Sequence, residues 1–500
     1  MNTILFFDRS PLTLLYAKMT PYMNGVDCIH VAYSQKDVNI LAAYNIKPDY
    51  IYLEMFKQEY DNIKYSDVEI QCIDKVIIDN TRGRFNLNGA IQSDRGFTLL
   101  SYEECLKSSV THYRIWEKIF KEHHVDLMLH EPCSLFFNFI GCILCKKQGG
   151  TYTFQVDALS DKWDFAYMNS NNDDNDYLEI RRRYHEYKNN PNAIEEERCR
   201  NFLNEYRENQ SVLFAGLLNR KTSSIKLLFN AIKTAVYKRI KIDKSERIYN
   251  NINYWIAVNN LPWEKFKNII GYKWNKIKFV NEVPEGEKFF FYPIHLEPEA
   301  AILYIGDGIY KNQIKLIENI AASLPAGYFL YVKDHPHEYA YRSADDYKRL
   351  LQVPNIRLLN QWIPAKVVMN KAVGVITING TAGFEATMLN KQVYCFGENQ
   401  YSFVDRNHYV RNIRDLKPEI YEHINDKLED DKDLYAYVMA YLESMHPGYT
   451  SCYTGSAFIE GHDYDGDARK LATNMVNYID YIKPLNDEKS SNSYNSSALF

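Results

Sequence analysis

The residues best suited to chemistry in this sequence stand directly after strand-like segments of its C-terminal half. One such segment, residues 328–332, runs into Lys333, Asp334, His335 and Pro336. Lysine and histidine offer cationic or donor groups that suit a phosphate, while Pro336 fixes a turn and biases His335 away from helical backbone. A turn with solvated charges would carry the same residues, so this segment alone does not decide between a binding site and a plain turn.

A second strand-like segment, residues 373–378, leads into a glycine-rich turn and a helix. This turn and the start of the helix contain Asn379, Gly380, Thr381, Ala382, Gly383 and Glu385. Glycines let the backbone approach a ligand closely, and the free N–H groups at the start of a helix bind anions such as phosphate. We expect Thr381 to cap the helix or to bind the phosphate, and Glu385 to bind ribose hydroxyl groups. The alternative is a common glycine-rich turn with a capping threonine.

A third strand-like segment, residues 288–294, is followed by His295, Glu297 and Glu299. A turn histidine packed against the sheet edge is an equally good interpretation of His295. Ligands of open α/β sheets bind beyond the carboxyl ends of the strands, so three polar strand ends at one edge predict a nucleotide-phosphate site. Neither a GxGxxG nor a GxxxxGK[ST] motif lies nearby, which argues against a dinucleotide fingerprint and a P-loop.

These strand ends belong to the second of two regions in which strand-like and helix-like patterns alternate, as in α/β folds with mostly parallel sheets. In the first region a strand is expected at residues 76–78, and between residues 161 and 278 no strand is expected. The predicted domains are a Rossmann-like domain (1–160), a helical basic insert that belongs to the N-terminal half (161–285), a second Rossmann-like domain (286–450), a loop with a closing helix (451–483) and a disordered tail (484–500).

Charge is distributed unevenly along the chain. A chain of 500 residues is longer than one hydrophobic core usually supports, so more than one domain is expected. Its net charge is −5, yet residues 220–278 hold 14 Lys or Arg against three acidic residues. Apolar and basic positions alternate there at helical spacing, which is typical of interfacial helices, although a solvated helix face has the same pattern. No nucleic-acid-binding motif accompanies the charge. The longest apolar run, Cys133–Cys145, is too short to span a bilayer, and no leader or anchor is expected at the N-terminus.

Four sequence segments, taken in order, resemble one known family. They are YPIHLEPEA (292–300), VKDHPHE (332–338), PNIRLL (354–359) and TINGTAGFEATMLNKQVYCFG (377–397). This stretch, roughly residues 288–400, is similar to the bacterial capsule polysaccharide biosynthesis family, which includes Kdo transferases of the GT-B fold. The resemblance implies a GT-B-like α/β fold with two Rossmann-like domains facing a cleft. It also implies a CMP-activated ulosonic acid donor held by the C-terminal domain, and no metal or other cofactor.

The resemblance also implies roles for individual residues. His335 and Pro336 match the HP motif that contacts the CMP moiety, and residues 379–381 with Glu385 match the donor-binding turn. Some members carry a Gln-Pro pair where this chain has Ile294-His295, so the donor sugar is Kdo or another acidic sugar. We expect the donor site to comprise Lys333, His335, Pro336, Asn379, Gly380, Thr381, Ala382, Glu385 and Glu299, with no metal ligands.

The acceptor hydroxyl needs a base, and in this family the N-terminal domain should supply a carboxylate. Glu131 and Asp157 each end a strand of that domain and are the main candidates, with Asp8 as a third. An exposed loop acid or a helix cap is an equally good interpretation of each. His295 is included as a further candidate for a catalytic role, and Lys333 and His335 would stabilise the leaving phosphate without Mg²⁺.

We therefore expect a glycosyltransferase that moves an acidic sugar from a CMP donor to a surface polysaccharide or a lipid-linked glycan. It would be cytoplasmic, peripherally associated with the anionic inner membrane through residues 220–278, and without a nucleic-acid partner. Two alternatives remain open: a polyol-phosphate transferase that uses CDP-glycerol or CDP-ribitol, and a non-catalytic scaffold or carbohydrate-binding protein of capsule assembly.

Overall fold

The computed structural model describes residues 2–157, 164–171, 174–208, 224–241, 248, 261–297, 299, 302–306, 308–336, 339–426, 428, 431–448 and 463–493. The chain forms two compact units, Met1–Glu179 with Tyr441–Phe500, and Ile180–Ala440. No helix in these described stretches combines the length and apolarity that crossing a membrane requires.

The first unit is built on a mostly parallel sheet with helices along it. From its N-terminus it contains β1 (Asn2–Asp8), α1 (Leu12–Met19), β2 (Val26–Ala32), α2 (Gln35–Ala42), β3 (Tyr50–Ile51), α3 (Tyr52–Asn62), α4 (Asp67–Asn80), α5 (Leu87–Gln92), α6 (Tyr102–Glu122), β4 (Leu127–Leu129), α7 (Phe136–Lys147), β5 (Thr151–Asp157), β6 (Asp164–Asn171) and β7 (Asp174–Asp176). The strand order is β14-β6-β5-β4-β1-β2-β3, where β14 (His446–Pro447) comes from the C-terminal segment, and β7 pairs with β6. The strands from β5 to β3 are parallel.

Apolar side chains on one face of this sheet pack against the last helix of the chain. Phe6 on β1 and Leu129 on β4 share a buried cluster with Leu471, Met475 and Ile479 of the C-terminal helix. The spacing of these three residues, four apart, places them on one face of a helix. The C-terminal segment thereby completes the core of the N-terminal unit.

The second unit contains a fully parallel sheet. Its elements are α8 (Leu178–Asn189), α9 (Glu196–Glu208), α10 (Ser224–Lys241), α11 (Leu261–Trp274), β8 (Phe289–Pro293), α12 (Gln313–Ser323), β9 (Phe329–Lys333), α13 (Ala344–Leu351), β10 (Ile356–Leu359), α14 (Ala365–Lys371), β11 (Gly374–Thr377), α15 (Thr381–Met388), β12 (Gln392–Cys395), β13 (Asn407–Tyr409), α16 (Ile413–His423) and α17 (Lys432–Glu443). The strand order is β10-β9-β8-β11-β12-β13. β8 is buried from Phe289 to Tyr292, as expected of a central strand covered on both faces.

The predicted fold class is confirmed as an α/β chain with two Rossmann-like, parallel-rich sheets. Most predicted strands are present within one or two residues, including all three whose ends carry the proposed chemistry. Alternating buried strands and amphipathic helices can be predicted well from sequence, because a parallel strand that is buried on both faces appears as an apolar run.

Three expectations are corrected. Val76–Ile78 belongs to α4 and not to a strand, because Ile73 and Ile77 are buried one helical turn apart in a longer amphipathic pattern. Strands β6 and β7 occur where none is expected, and the buried Phe165 and Tyr167 of β6 pack within the first unit. Residues 484–493 of the tail expected to be disordered belong to α18 (Tyr464–Ser493), whose first half packs into the core of the first unit. Residues 494–500 lie outside the described part.

The helical insert also differs from its predicted placement in the N-terminal half. Its described residues from Ile180 onward belong to the second unit. On α8, the Tyr184 hydroxyl accepts a hydrogen bond from the Asp405 N–H, 3.1 Å away, and Cys199 on α9 donates to the carbonyl of Tyr435. Contacts between residues this distant in sequence cannot be predicted from composition. The alternation of strands and helices therefore does not show to which unit these helices belong.

Candidate functional site

The three polar strand ends singled out by sequence follow neighbouring strands of the second unit. β8 lies between β9 and β11 and runs parallel to both, with Phe291 opposite Tyr331 and Phe290 opposite Gly374. The segments after Pro293, Lys333 and Thr377 therefore leave the sheet at one edge. This arrangement brings most of the predicted donor-site residues into one region of one unit.

His295 is held by hydrogen bonds to the neighbouring strand end. Its Nε2 accepts from the N–H of Ile378, 3.3 Å away, and lies 3.1 Å from the hydroxyl oxygen of Thr377. Burial, followed by the charge of His335, lowers the pKa of His295 to about 4. The ring is therefore neutral at neutral pH, and the nitrogen engaged with β11 is not available as a general base. Through this nitrogen His295 links two strand ends, and its catalytic role stays a prediction.

Gln313, the first residue of α12, holds the loop that carries His295. Its Oε1 accepts from the His295 N–H at 2.9 Å and from the Tyr292 hydroxyl at 3.2 Å, and its Nε2 donates to the His295 carbonyl at 3.0 Å. The same Nε2 donates to Glu297 at 2.5 Å. Gln313 is fully buried, so it fixes this loop from inside. The sequence gives no motif that would have identified it.

The two glycines of the turn are required by the protein's own side chains. A Cβ at Gly380 would lie 2.7 Å from Cε1 of His295, and a Cβ at Gly383 would lie 2.2 Å from Cζ of Tyr401. The Tyr401 hydroxyl accepts from the Gly380 N–H at 3.2 Å and donates to the Gly380 carbonyl at 2.8 Å. Close packing against a histidine and a buried tyrosine is therefore a structural reason for these glycines, in addition to the predicted approach of a ligand.

The cap of α15 is Gly380 and not Thr381. Gly380 has extended backbone and no side chain to accept a hydrogen bond, while Thr381 is exposed as the first residue of the helix and Ala382 is half-buried beside it. The exposed position of Thr381 leaves the start of α15 open to solvent at the sheet edge. An anion could approach the helix N-terminus there.

Asn379 presents a buried donor at the same edge. Its side chain is only 3% exposed, and its Oδ1 accepts a hydrogen bond from Asn399. Its Nδ2 finds no hydrogen-bond partner in the part of the chain that the structure describes. A buried N–H group without a partner costs about 1–3 kcal/mol, so an acceptor atom supplied by a ligand would be stabilised here.

Lys333, Glu385 and Lys366 form a group of interacting charges at this edge. Lys333 is 7% exposed, and burial lowers its pKa to about 8 although Asp334 and Glu385 act in the opposite direction. Burial raises the pKa of Glu385 to about 7 against the opposing charges of Lys366 and Lys333. Lys366, on α14, also donates to the carbonyl of Tyr206 on α9. Perturbed charges of this kind cluster at functional sites.

Sequence reasoning identifies Lys333 and Glu385 but misses Lys366 and Tyr206. Burial also lowers the pKa of Lys366, and its ammonium lies 4.9 Å from the centre of the Tyr206 ring. Neither residue follows a strand, and α9 lies far from the motifs in sequence. A rule that reads strand ends alone cannot find them.

The remaining acids near the sheet edge belong to a buried ion network. Arg342 Nε donates to both oxygens of Asp334, at 3.3 and 3.2 Å, and Arg342 Nη1 donates to Glu297 at 3.3 Å. The Tyr347 hydroxyl also donates to Asp334. Burial raises the pKa of Glu297, with Arg342 as the main opposing influence. These groups bind one another and thereby connect the loops after β8 and β9.

The other predicted donor residues stand on the same loops. His335 and Pro336 are half-buried after β9, and the Pro336 carbonyl accepts from the Tyr339 N–H at 3.3 Å. The charge of His335 contributes to the lowered pKa of His295. Glu299 is half-buried, and its carbonyl accepts from the N–H groups of Ile302 and Leu303.

The predicted acids of the first unit are mostly engaged. Glu131 forms an ion pair with Arg9, and the buried Asp8 accepts from Nδ1 of His30 at 2.9 Å. Burial raises the pKa of Asp8 to about 6, with the His30 hydrogen bond as the main opposing influence. Asp157 is the last residue of β5, and its side chain lies outside the described part. The partners Arg9 and His30 follow or belong to strands but carry no motif of their own.

Comparison with known proteins supports the resemblance seen in the motifs. Residues 195–406 match the profile of the family described as Capsule polysaccharide biosynthesis protein. No curated protein sequence matches the chain.

Among solved structures, a Staphylococcus aureus MnaA–UDP complex is 14% identical, covers 96% of this chain and 96% of its own, and has a TM-score of 0.26. A Thermosulfurimonas dismutans KpsC structure described as a β-Kdo 2,7 transferase is 11% identical, covers 72% of this chain and 89% of its own, and has a TM-score of 0.30. A UDP-GlcNAc 2-epimerase from Neisseria meningitidis is 11% identical, covers 89% of this chain and 99% of its own, and has a TM-score of 0.24. Such low scores carry no argument about function.

The profile match extends beyond the motifs on both sides and includes α9, which carries Tyr206, as well as the strand ends of β8, β9 and β11. The region that the family profile covers therefore includes the interacting charges Lys333, Glu385 and Lys366. Over residues 195–406, which is less than half of its length, this chain is similar to the capsule polysaccharide biosynthesis proteins.

Proposed function

We propose that this protein is a glycosyltransferase of capsule polysaccharide synthesis. It moves an acidic, ulosonic-type sugar from a CMP-activated donor to a surface polysaccharide or a lipid-linked glycan. The family match over residues 195–406 supports the process, and the motifs at residues 332–338 and 377–397 support the choice of a CMP donor.

The observation that carries the proposal is the buried cation Lys333 at the sheet edge. Lys333 interacts electrostatically with Glu385 of α15, a helix whose first residue is exposed. The buried Nδ2 of Asn379, which has no hydrogen-bond partner among the described residues, stands at the same edge. Loss of CMP from the donor places growing negative charge on one phosphate. A cation held in a poorly solvated position, together with N–H donors that are already in place, stabilises that charge strongly. Lys333 and Asn379 would bind the donor phosphate in this account.

Glu385 would act next to this phosphate contact. Its pKa of about 7 leaves a substantial protonated fraction at neutral pH, so its carboxyl group can donate as well as accept a hydrogen bond. A protonated Glu385 also avoids repelling the donor phosphate. We propose that it binds ribose or sugar hydroxyl groups, as the resemblance implies.

The acceptor base remains a proposal within the first unit. Glu131 is partly exposed and is oriented by Arg9, whereas Asp8 is fully buried against His30. Partial exposure favours Glu131 over Asp8 for contact with a hydroxyl group, and Asp157 is retained as the second candidate. Replacement of each acid by its amide, assayed for transfer with donor binding as the control, would separate a base from a structural acid.

We further propose that α10 holds the protein at an anionic membrane surface on the cytoplasmic side. Ile225, Phe229, Ile232 and Val236 are 51–70% exposed and recur at the spacing of one helix face. Leu227 and Ala231 are buried instead, and Leu227 shares a cluster with Ile269 of α11. The surrounding sequence is strongly basic. An exposed apolar stripe within a basic segment is the pattern that anionic lipid surfaces attract.

A thermal-stability screen with CMP, CDP, UDP and GDP tests the donor proposal. We expect cytidine nucleotides to raise the melting temperature, with CMP acting at the lowest concentration. A response to CDP but not to CMP would instead favour a polyol-phosphate transferase. Stabilisation by UDP or GDP alone would overturn the cytidine assignment, and no response to any nucleotide would favour a non-catalytic scaffold.

A further inference from the structure

Two histidines and a glutamate converge at the far side of the second sheet, away from the proposed donor site. His408 belongs to the edge strand β13, and Glu419 and His423 lie one helical turn apart on α16. His408 Nδ1 is 3.0 Å from Glu419 Oε1, and His423 Nε2 is 3.7 Å from the same oxygen. One ligand atom from each residue lies within 4.8 Å of the others.

These separations suit the ligands of a single metal ion. Ligand atoms placed about 2.1 Å from a tetrahedral Zn²⁺ lie about 3.4 Å from one another. The two measured distances to Glu419 Oε1, 3.0 and 3.7 Å, bracket that value. Two imidazoles and one carboxylate also form a donor set that Zn²⁺ accepts, with a fourth position left for water.

A carboxylate outside the cluster orients one of the histidines. His423 Nδ1 lies 2.7 Å from Asp426 Oδ2, so the ring donates to Asp426 and directs Nε2 towards Glu419. Metal-binding histidines commonly hold their second nitrogen in this way. The Tyr394 ring stacks on His408, 4.6 Å away, and restrains the other imidazole.

The cluster is accessible to solvent. The side chain of His408 is 9% exposed, whereas those of Glu419 and His423 are 36% and 29% exposed, so solvent reaches the cluster from one side.

We propose that His408, Glu419 and His423 bind a divalent transition metal, with Zn²⁺ as the fitting ion, and that this ion fastens the edge strand β13 to α16. The site is separate from sugar transfer, because β13 is separated by β12 from β11, whose end carries the donor turn. The expectation of a metal-free reaction concerns the donor site and is unaffected.

Calorimetric titration of the chelator-treated full chain with Zn²⁺ tests this proposal. We expect one equivalent to bind, and Co²⁺ in its place to give the absorption bands of a low-coordinate nitrogen and oxygen site. Asp426→Asn should weaken binding about 10- to 100-fold through the orienting hydrogen bond. Glu419→Gln and His423→Ala should weaken it further because each removes a ligand.

Glu422→Gln is the matched control, because Glu422 lies on the same helix and is exposed. It should bind Zn²⁺ as the unaltered protein does. Circular dichroism of each variant checks that α16 remains folded. A chain that binds no Zn²⁺, or Glu419→Gln and His423→Ala variants that bind it as tightly as Glu422→Gln, would overturn the proposal and leave the cluster as hydrogen-bonded side chains alone.

Discussion

The imidazole of His295 lies directly against the α-carbon of Gly380, so that a Cβ added at residue 380 would be 2.7 Å from its Cε1 atom. This contact joins the loop after β8 to the turn before α15. We propose that the donor phosphate binds between these two segments. The glycine is thus required by a neighbouring side chain whose ring is itself held by Ile378 and Thr377.

Alanine substitutions at three glycines of the second unit should destabilise it in a fixed order. Gly383→Ala places a Cβ 2.2 Å from the fully buried Tyr401 and should cost more than Gly380→Ala, which displaces the half-buried His295. Overpacking of this kind typically costs about 1–3 kcal/mol. Gly271→Ala, in α11 and 3.2 Å from the Ala344 Cβ, should be near neutral. Urea unfolding of the three variants measures the order, and equal losses would contradict it.

Lys333→Met should separate stability from binding. The pKa of Lys333 falls from 10.5 to about 8 in the folded protein, so folding disfavours its charged form. Removing the charge should therefore maintain or raise the melting temperature at pH 7 while nucleotide binding is lost. A Lys333→Met variant that unfolds at a markedly lower temperature would show that the ammonium stabilises the loop and does not serve a ligand.

Arg342→Met is the structural counterpart of that variant. Arg342 is buried between Asp334 and Glu297, and its loss leaves two carboxylates without their cation. Breaking a buried ion pair by removing one partner costs about 3–5 kcal/mol. Chemical denaturation should show this loss. Arg414→Met, at an exposed position of α16, is the control. A smaller loss of unfolding free energy for Arg342→Met than for Arg414→Met would show that the ion network does not stabilise these loops.

Nucleotide affinity should fall as the pH rises from 7 to 9. Glu385 ionises as the pH passes about 7, and Lys333 loses its proton as the pH passes about 8, so both changes make the site more negative. The phosphate of CMP has its second pKa near 6, at about the value of other phosphomonoesters, and so stays dianionic over this range. Calorimetry at several pH values measures the profile. Glu385→Gln should remove the step near pH 7 and retain the one near pH 8.

Membrane binding should depend on the exposed face of α10. Phe229→Glu places a charge in the apolar stripe and should abolish flotation with anionic vesicles. Val68→Glu, at a similarly exposed apolar position of α4, is the control and should leave flotation unchanged. Flotation should weaken with added salt, because lysine and arginine supply part of the attraction. Equal flotation of both variants would contradict a role for α10.

Sequence predicts the parts of this fold that local pattern determines. The strands β8, β9 and β11 and the polar residues after them follow from buried runs and strand-end position. Gln313, Arg342 and Lys366 are not predicted, since each acts through a contact set by tertiary packing. The packing of Gly380 and Gly383 against neighbouring rings is also not predicted by sequence, because a glycine that admits a ligand and one that admits a neighbouring ring have the same sequence pattern.

Titration of CMP into the unaltered protein and into the Lys333→Met variant tests the central claim most directly. We predict that CMP binds the unaltered protein more tightly than UMP or GMP does. Loss of a charge-assisted contact worth about 1.5–3 kcal/mol should weaken CMP binding by roughly 10- to 150-fold in Lys333→Met. Equal CMP affinity in both proteins, or tighter binding of UMP or GMP than of CMP, would contradict a cytidine nucleotide site built on Lys333.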